Sequence, residues 1–149
     1  MITKPCVGVL FVLCALAASA SAAEETKCVT VEQGWLRLLP NPKMAMTAGY
    51  AVIRNGCATA VAITGARSAS FGDVSLHETT IVDGVSRMRE VRRLPLAPGA
   101  RAVLKPGGLH LMLMDGYRTL EEGQPVWLQL QLEDGTEVST ALIARKAAP

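Results

Sequence analysis

The chain reads as an all-β protein, a β-sandwich or Greek-key barrel built from many short strands. Three observations predict this class. Beyond its first two dozen residues, no long stretch of the 149-residue chain carries a 3.6-residue hydrophobic period. Short alternating runs recur instead, as in Val126, Leu128, Leu130 and Leu132 interleaved with Trp127, Gln129 and Gln131. Gly, Pro, Asn and Asp punctuate the chain between these runs, the spacing expected of an all-β domain.

The elements follow in order from that punctuation. The predicted strands are Cys28–Leu38, Ala48–Arg54, Ala60–Ala66, Val74–Ile81, Ser86–Val91, Ala100–Leu104, Leu109–Met114, Pro125–Leu132 and Glu137–Ala144. Pro40-Asn41-Pro42 closes the first and Asn55-Gly56 the second. Asp83-Gly84 joins the fourth to the fifth with the chemistry of a two-residue hairpin turn. Ala97-Pro98-Gly99 and Pro106-Gly107-Gly108 bracket the sixth. The 116–124 stretch, with Glu122-Gly123, is read as a loop, a short helical turn being the alternative, and Asp134-Gly135 turns the last pair.

The first 23 residues read as a secretory leader, followed by one domain over 24–149. Lys4 supplies the positive n-region, an apolar stretch runs from Val7 to Ala18, and small residues close it before Glu24-Glu25. Cleavage falls after Ala20, Ala22 or Ala23. The apolar run is too short for a membrane span, which needs roughly 20 residues. Phe11-Val12-Leu13 ahead of Cys14 lacks the small residue that a lipidation signal wants directly before its cysteine. Of four cysteines, Cys6 and Cys14 leave with the leader. Cys28 and Cys57 remain, and an even pair in an exported protein reads as a disulfide, with two unpaired buried thiols as the alternative. The formal charge of +2 falls to +1 when Lys4 is removed, a near-neutral balance that does not point to nucleic acid.

Both histidines of the protein fall into one spacing with two methionines: His77, ten residues, Met88, twenty-one residues, His110, one residue, Met112. Two imidazoles and two thioethers form a soft, neutral donor set that favours Cu(I), whereas hard cations want oxygen. If Asp83-Gly84 is a two-residue turn, Thr79 opposes Met88, and His77 becomes its diagonal neighbour at roughly 7–8 Å. Period two alone puts His110 and Met112 on one face of their strand. Pattern does not say whether the two pairs face each other. Met114 shares the face of His110 and Met112, as packing or as a substitute ligand. Met44 and Met46 either lid the site or fill a gap, the second being favoured.

With Val74-Ser75-Leu76-His77-Glu78-Thr79, the Asp83-Gly84-Val85 turn, Met88-Arg89 and Leu104 through Met114, the chain resembles the PCuA(C) family of periplasmic copper chaperones. The family signature, H-x10-M-x21-H-x-M, is met at all four positions. Trp35, Arg37, Pro40, Ala48-Gly49-Tyr50 and Asn55-Gly56 resemble the family's N-terminal half. The resemblance implies a cupredoxin-like Greek-key β-sandwich binding one Cu(I) near one end through His77, Met88, His110 and Met112. It implies a periplasmic monomer that supplies copper to the Cu-A centre of a respiratory oxidase. The partners would be the copper-accepting oxidase subunit and a thiol-reducing copper assembly factor, with no nucleic acid and no membrane span. Two departures stand out: no His/Met-rich tail follows Ile143, and Ser86 stands where some members carry a hairpin Met.

The expected function is therefore carriage and not catalysis. Copper storage or resistance is the alternative within the same chemistry. A blue-copper electron-transfer site needs a Cys ligand, and no Cys follows Cys57. A zinc hydrolase using His77, His110 and Glu78 or Glu90 would leave both methionines coincidental. A metal-free β-sandwich interaction module is the last rival. Arg87, Arg89, Arg92 and Arg93 cluster beside Met88; a solvated strand edge is favoured over a docking patch.

Overall fold

The computed structural model describes residues 28–38, 41 and 45–149. The predicted leader with Cys6 and Cys14, and Pro40, Pro42, Lys43 and Met44, lie outside the described residues. Among the described residues every regular element is a strand: β1 (Val29–Arg37), β2 (Met46–Asn55), β3 (Val61–Arg67), β4 (Phe71–Val82), β5 (Val85–Glu90), β6 (Leu94–Leu96), β7 (Arg101–Leu104), β8 (Leu109–Gly116), β9 (Pro125–Leu132) and β10 (Glu137–Arg145). Each predicted strand is present; of the predicted 116–124 loop, Gly116 instead ends β8 and 117–124 is a loop. One strand escaped prediction. β6 is Leu94-Pro95-Leu96, three residues centred on a proline, paired only to β3. Proline is tolerated there because an edge strand can leave one N–H position unused.

The strands form one mixed sheet in the order β5-β4-β8-β2-β1-β10-β9-β3-β6, with β7 also pairing β2. β1 and β10 pair in parallel; the other ladders are antiparallel. The chain crosses between the two halves of this order at β2–β3, β3–β4, β5–β6, β6–β7 and β8–β9. The sheet closes over one core in which Leu113 of β8 joins Leu36, Ile53, Val126, Leu128, Leu130 and Leu142. The predicted alternation of β9 holds: Val126, Leu128, Leu130 and Leu132 are buried, while Trp127 is exposed.

Two features brace the sandwich. Cys28 and Cys57 form a disulfide that ties the start of β1 to the turn after β2, as the sequence predicted. Asn55, read from sequence as a turn residue, is a buried hub. Its Nδ2 donates to the carbonyls of Thr59 (2.9 Å) and Leu96 (3.0 Å), and its Oδ1 accepts from the Cys57 N–H. At Gln33, φ is 54° and the β1–β2 register shifts. The following Gly34 is pressed so closely that a Cβ would stand 2.8 Å from the Ala141 carbonyl oxygen.

Candidate metal centre

The site lies on the outer face of the β5-β4-β8 ribbon, opposite the core. The hairpin between β4 and β5 turns at Asp83 (φ 53°) and Gly84 (φ 76°), both left-handed as a type I′ turn requires. Val82 therefore opposes Val85, Thr79 opposes Met88, and His77 opposes Glu90. His77 and Met88 are diagonal neighbours on one face, as the two-residue turn implied.

The β4–β8 ladder supplies what pattern left open. His77 stands directly opposite His110, and Ser75 directly opposite Met112. The two imidazole centroids are 6.1 Å apart with planes inclined by 33°. Two imidazoles sharing one ion at about 2.0–2.1 Å would have centroids roughly 5–6.5 Å apart. Met88 Sδ lies 3.2 Å from His110 Nε2. Register sets Met112 beside this group, two residues from His110 on the same face.

The hydrogen bonds around the rings give this geometry its chemical sense. His110 Nδ1–H donates to the Gly108 carbonyl at 2.8 Å, so the neutral ring presents Nε2 as a lone pair. A thioether sulfur has no proton to give it. Two acceptors thus face each other at 3.2 Å, a contact that a shared cation would relieve. His77 Nε2 lies 3.1 Å from Ser75 Oγ, while His77 Nδ1 is buried with no hydrogen-bond partner. A buried nitrogen left unpaired costs about 1–3 kcal/mol, which a bound metal would offset. His110 is 6% exposed and Met88 54% exposed, so one donor is fixed in the wall and another is open to solvent.

Two supporting residues were not singled out as such from sequence. Gly108 ends the Lys105–Gly108 excursion between β7 and β8, which lie along the same edge of β2. Its carbonyl accepts from the Thr79 N–H at 3.1 Å as well as from His110, so one oxygen pins β4 and orients the ring. The Lys-Pro-Gly-Gly run just before a histidine was the available signal. Ser75 holds His77 in the same way, and its signal was period two with His77.

Three of the four arginines beside Met88 are already paired. Arg89 bonds Glu78 at 2.6 Å, Arg92 meets Glu90 at 3.3 Å, and Arg93 makes a two-pronged bridge to Glu133. The solvated-edge reading of the arginine cluster fits these pairs better than a docking patch does. Among the described residues no group of three or more His, Cys, Asp or Glu side chains is placed to hold a metal, and Cys57 is consumed by the disulfide. The soft side chains that the ladders bring to this face are the His77 and His110 imidazoles and the Met88 thioether, with Met112 alongside.

A model of the family described as "Putative lipoprotein LpqE-like" matches residues 29–143. The chain belongs to the LpqE-like family. A protein of Leifsonia xyli subsp. xyli carrying a similar lipoprotein description is 32% identical over 136 residues, spanning 87% of this chain and 78% of its own. Among solved structures, the LpqE-like chain has the fold of the apo PCuAC domain from PmoF1, at 24% identity and a TM-score of 0.66, over 80% of this chain and 95% of that one. Apo-DR1885 from Deinococcus radiodurans is 26% identical with a TM-score of 0.64, over 99% and 97% of the two chains. Its CuI form is also 26% identical, with a TM-score of 0.60 over 85% and 86%. The cupredoxin-like β-sandwich that the sequence resemblance implied is the fold of these domains, so the LpqE-like chain has a PCuAC-type fold.

Proposed function

We propose that this protein is an exported copper chaperone. It binds one Cu(I) through His77, Met88, His110 and Met112 and delivers it to the Cu-A centre of a respiratory oxidase. The observation that carries this reading is a pair of acceptors brought together across β4 from its two flanking strands: His110 Nε2 on β8 against Met88 Sδ on β5 at 3.2 Å, beside the orphaned His77 Nδ1. Two neutral nitrogens with thioether sulfur suit Cu(I) and leave little for zinc. The solved CuI form of DR1885 adds support from the fold. The Cys28–Cys57 disulfide and the lipoprotein description of the family support an oxidising, exported setting. Among the described residues no helix is long and apolar enough to cross a membrane.

The geometry favours carriage over turnover. His77 and His110 sit on the paired strands β4 and β8 with fixed rings, while Met88 lies on the exposed edge strand β5. An acceptor arriving at that edge meets Met88 first and displaces its sulfur before either imidazole lets go. Cu(I) then moves by ligand exchange in a contact complex. A monomer suffices, because all four donors come from one chain.

X-ray absorption of the reduced, copper-loaded protein should show two nitrogen and two sulfur donors. Competition against a calibrated Cu(I) chelator should show weaker binding for His77→Ala and Met88→Ala. Parent-like affinity in both variants would overturn the ligand assignment. Mixing the loaded protein with an apo Cu-A domain beside a trapping chelator tests delivery. Transfer that vanishes when the trap is present would mean release to solvent, and the chaperone reading would fail.

A further inference from the structure

The outer face of β8 carries more sulfur than the proposed site uses. Met114 follows Met112 by two residues and shares its face, because Leu113 between them is fully buried. In the ladders, Met114 stands opposite Met46 on β2 and opposite Asp73 on β4. Met112 stands opposite Ala48 and Ser75, so small side chains flank it on both sides. Directly opposed Cβ atoms lie about 4.5–5.5 Å apart and diagonal ones roughly 7–8 Å, so the thioethers of Met112, Met114 and Met46 can all reach one point above the sheet. Methionine's three rotatable bonds make that convergence inexpensive.

Core filling does not account for this row. Met46 is 49% exposed, and the face it occupies points away from the hydrophobic cluster. Three thioethers form a soft site for a monovalent d10 cation and offer nothing to Mg²⁺, Ca²⁺ or Zn²⁺. The Asp73 carboxylate next to Met114 adds negative charge without being a soft donor.

We infer that Met112, Met114 and Met46 form a second, weaker Cu(I) site, and that Met112 belongs to both sites. This rests on the proposed role of Met112 in the first. An ion held by the imidazoles can then move along β8 by changing its partners around one shared sulfur. Its far end, Met46, lines a cleft of about 1020 Å³ together with Phe71, Tyr117, Arg37 and Arg118. Copper would therefore have two approaches, one at the β4–β5 hairpin and one at the opposite end of the strand.

The test is titration of the full exported protein, labelled with ¹³C at its methionine methyls, with Ag(I) as a redox-inert stand-in for Cu(I), followed by NMR. The first equivalent should move Met88 and Met112; the second should move Met46 and Met114 and shift Met112 again. Met46→Leu combined with Met114→Leu should keep the first event and lose the second, lowering bound Ag(I) by half. If Met46 and Met114 stay still while Met88 responds, the second site is overturned and the proposed function stands. If Met46 and Met114 respond while Met88 does not, the first assignment falls and the three-thioether site survives. Silence from every methyl overturns both. A double variant that still takes up the second equivalent also overturns the second site.

Discussion

β8 carries two chemistries on its two faces. Leu111 and Leu113 are 3% and 0% exposed and pack in the core. There Gly49 has no room for a Cβ, which would lie 2.7 Å from a Leu142 methyl and 3.0 Å from one of Leu113. The alternate residues His110, Met112 and Met114 face outward, and the first of them is held by a backbone carbonyl. One strand therefore serves stability through Leu111 and Leu113 and carries the proposed donors His110 and Met112 on its other face. The lesson is that a period of two lets a rigid scaffold and an exchangeable site share eight residues without competing.

Substitutions should separate the faces, and the core should show the largest effect on stability. Leu113→Ala removes a side chain with no exposure and should cost about 2–5 kcal/mol, measured by urea unfolding. Copper stoichiometry of the fraction that stays folded should not change. A loss below ~1 kcal/mol would mean that the core closes over the gap. Replacing both Cys28 and Cys57 by Ser should cost about 2–4 kcal/mol by the same measurement, again with the copper site intact. If copper binding is lost with the bridge, the two regions are coupled and the comparison breaks.

The outward face should behave in reverse. Met88 is 54% exposed, so Met88→Ala should leave stability within ~0.5 kcal/mol while weakening Cu(I) binding. Ser75→Ala, which removes the oxygen beside His77, should lower Cu(I) affinity by about 10–100-fold, read by chelator competition. An unchanged affinity would show that His77 is held by its strand alone.

The smallest effect should come from the surface. Arg93, through its paired hydrogen bonds, holds the exposed Glu133 carboxyl below its ordinary value. A carboxyl lowered by folding contributes stability above the ordinary carboxylate range and loses it as pH falls through the folded value. The melting temperature of the parent should therefore exceed that of Glu133→Gln slightly at neutral pH, and the two should converge in acid. A gap that widens in acid would assign the wrong sign.

The hairpin register was legible because Asp83 and Gly84 both tolerate positive φ, which fixes Thr79 against Met88. The partition of β8 was legible from alternation. The facing of His77 with His110 was not, because it depends on pairing β4 with β8, strands whose approach no local pattern encodes. The hub role of Asn55 stayed hidden for the same reason, since the Leu96 carbonyl that it caps lies forty-one residues away. β6 was missed because Leu94-Pro95-Leu96 carries a strand-breaking signal at a position where an edge strand forgives it.

The Gly108 carbonyl has a consequence for timing. Because it already holds the proton of His110 Nδ1, the opposite nitrogen meets an incoming ion with its lone pair ready. At His110, neither a tautomer change nor a ring flip is needed before an ion binds. The same oxygen holds Thr79, across from Met88, so the edge strand need not refold for the sulfur to swing. In the proposed carrier, residence of the cargo would then be governed by the loosest donor, the exposed Met88. A protein built this way can hold its ion tightly at equilibrium and still surrender it within the lifetime of a brief encounter.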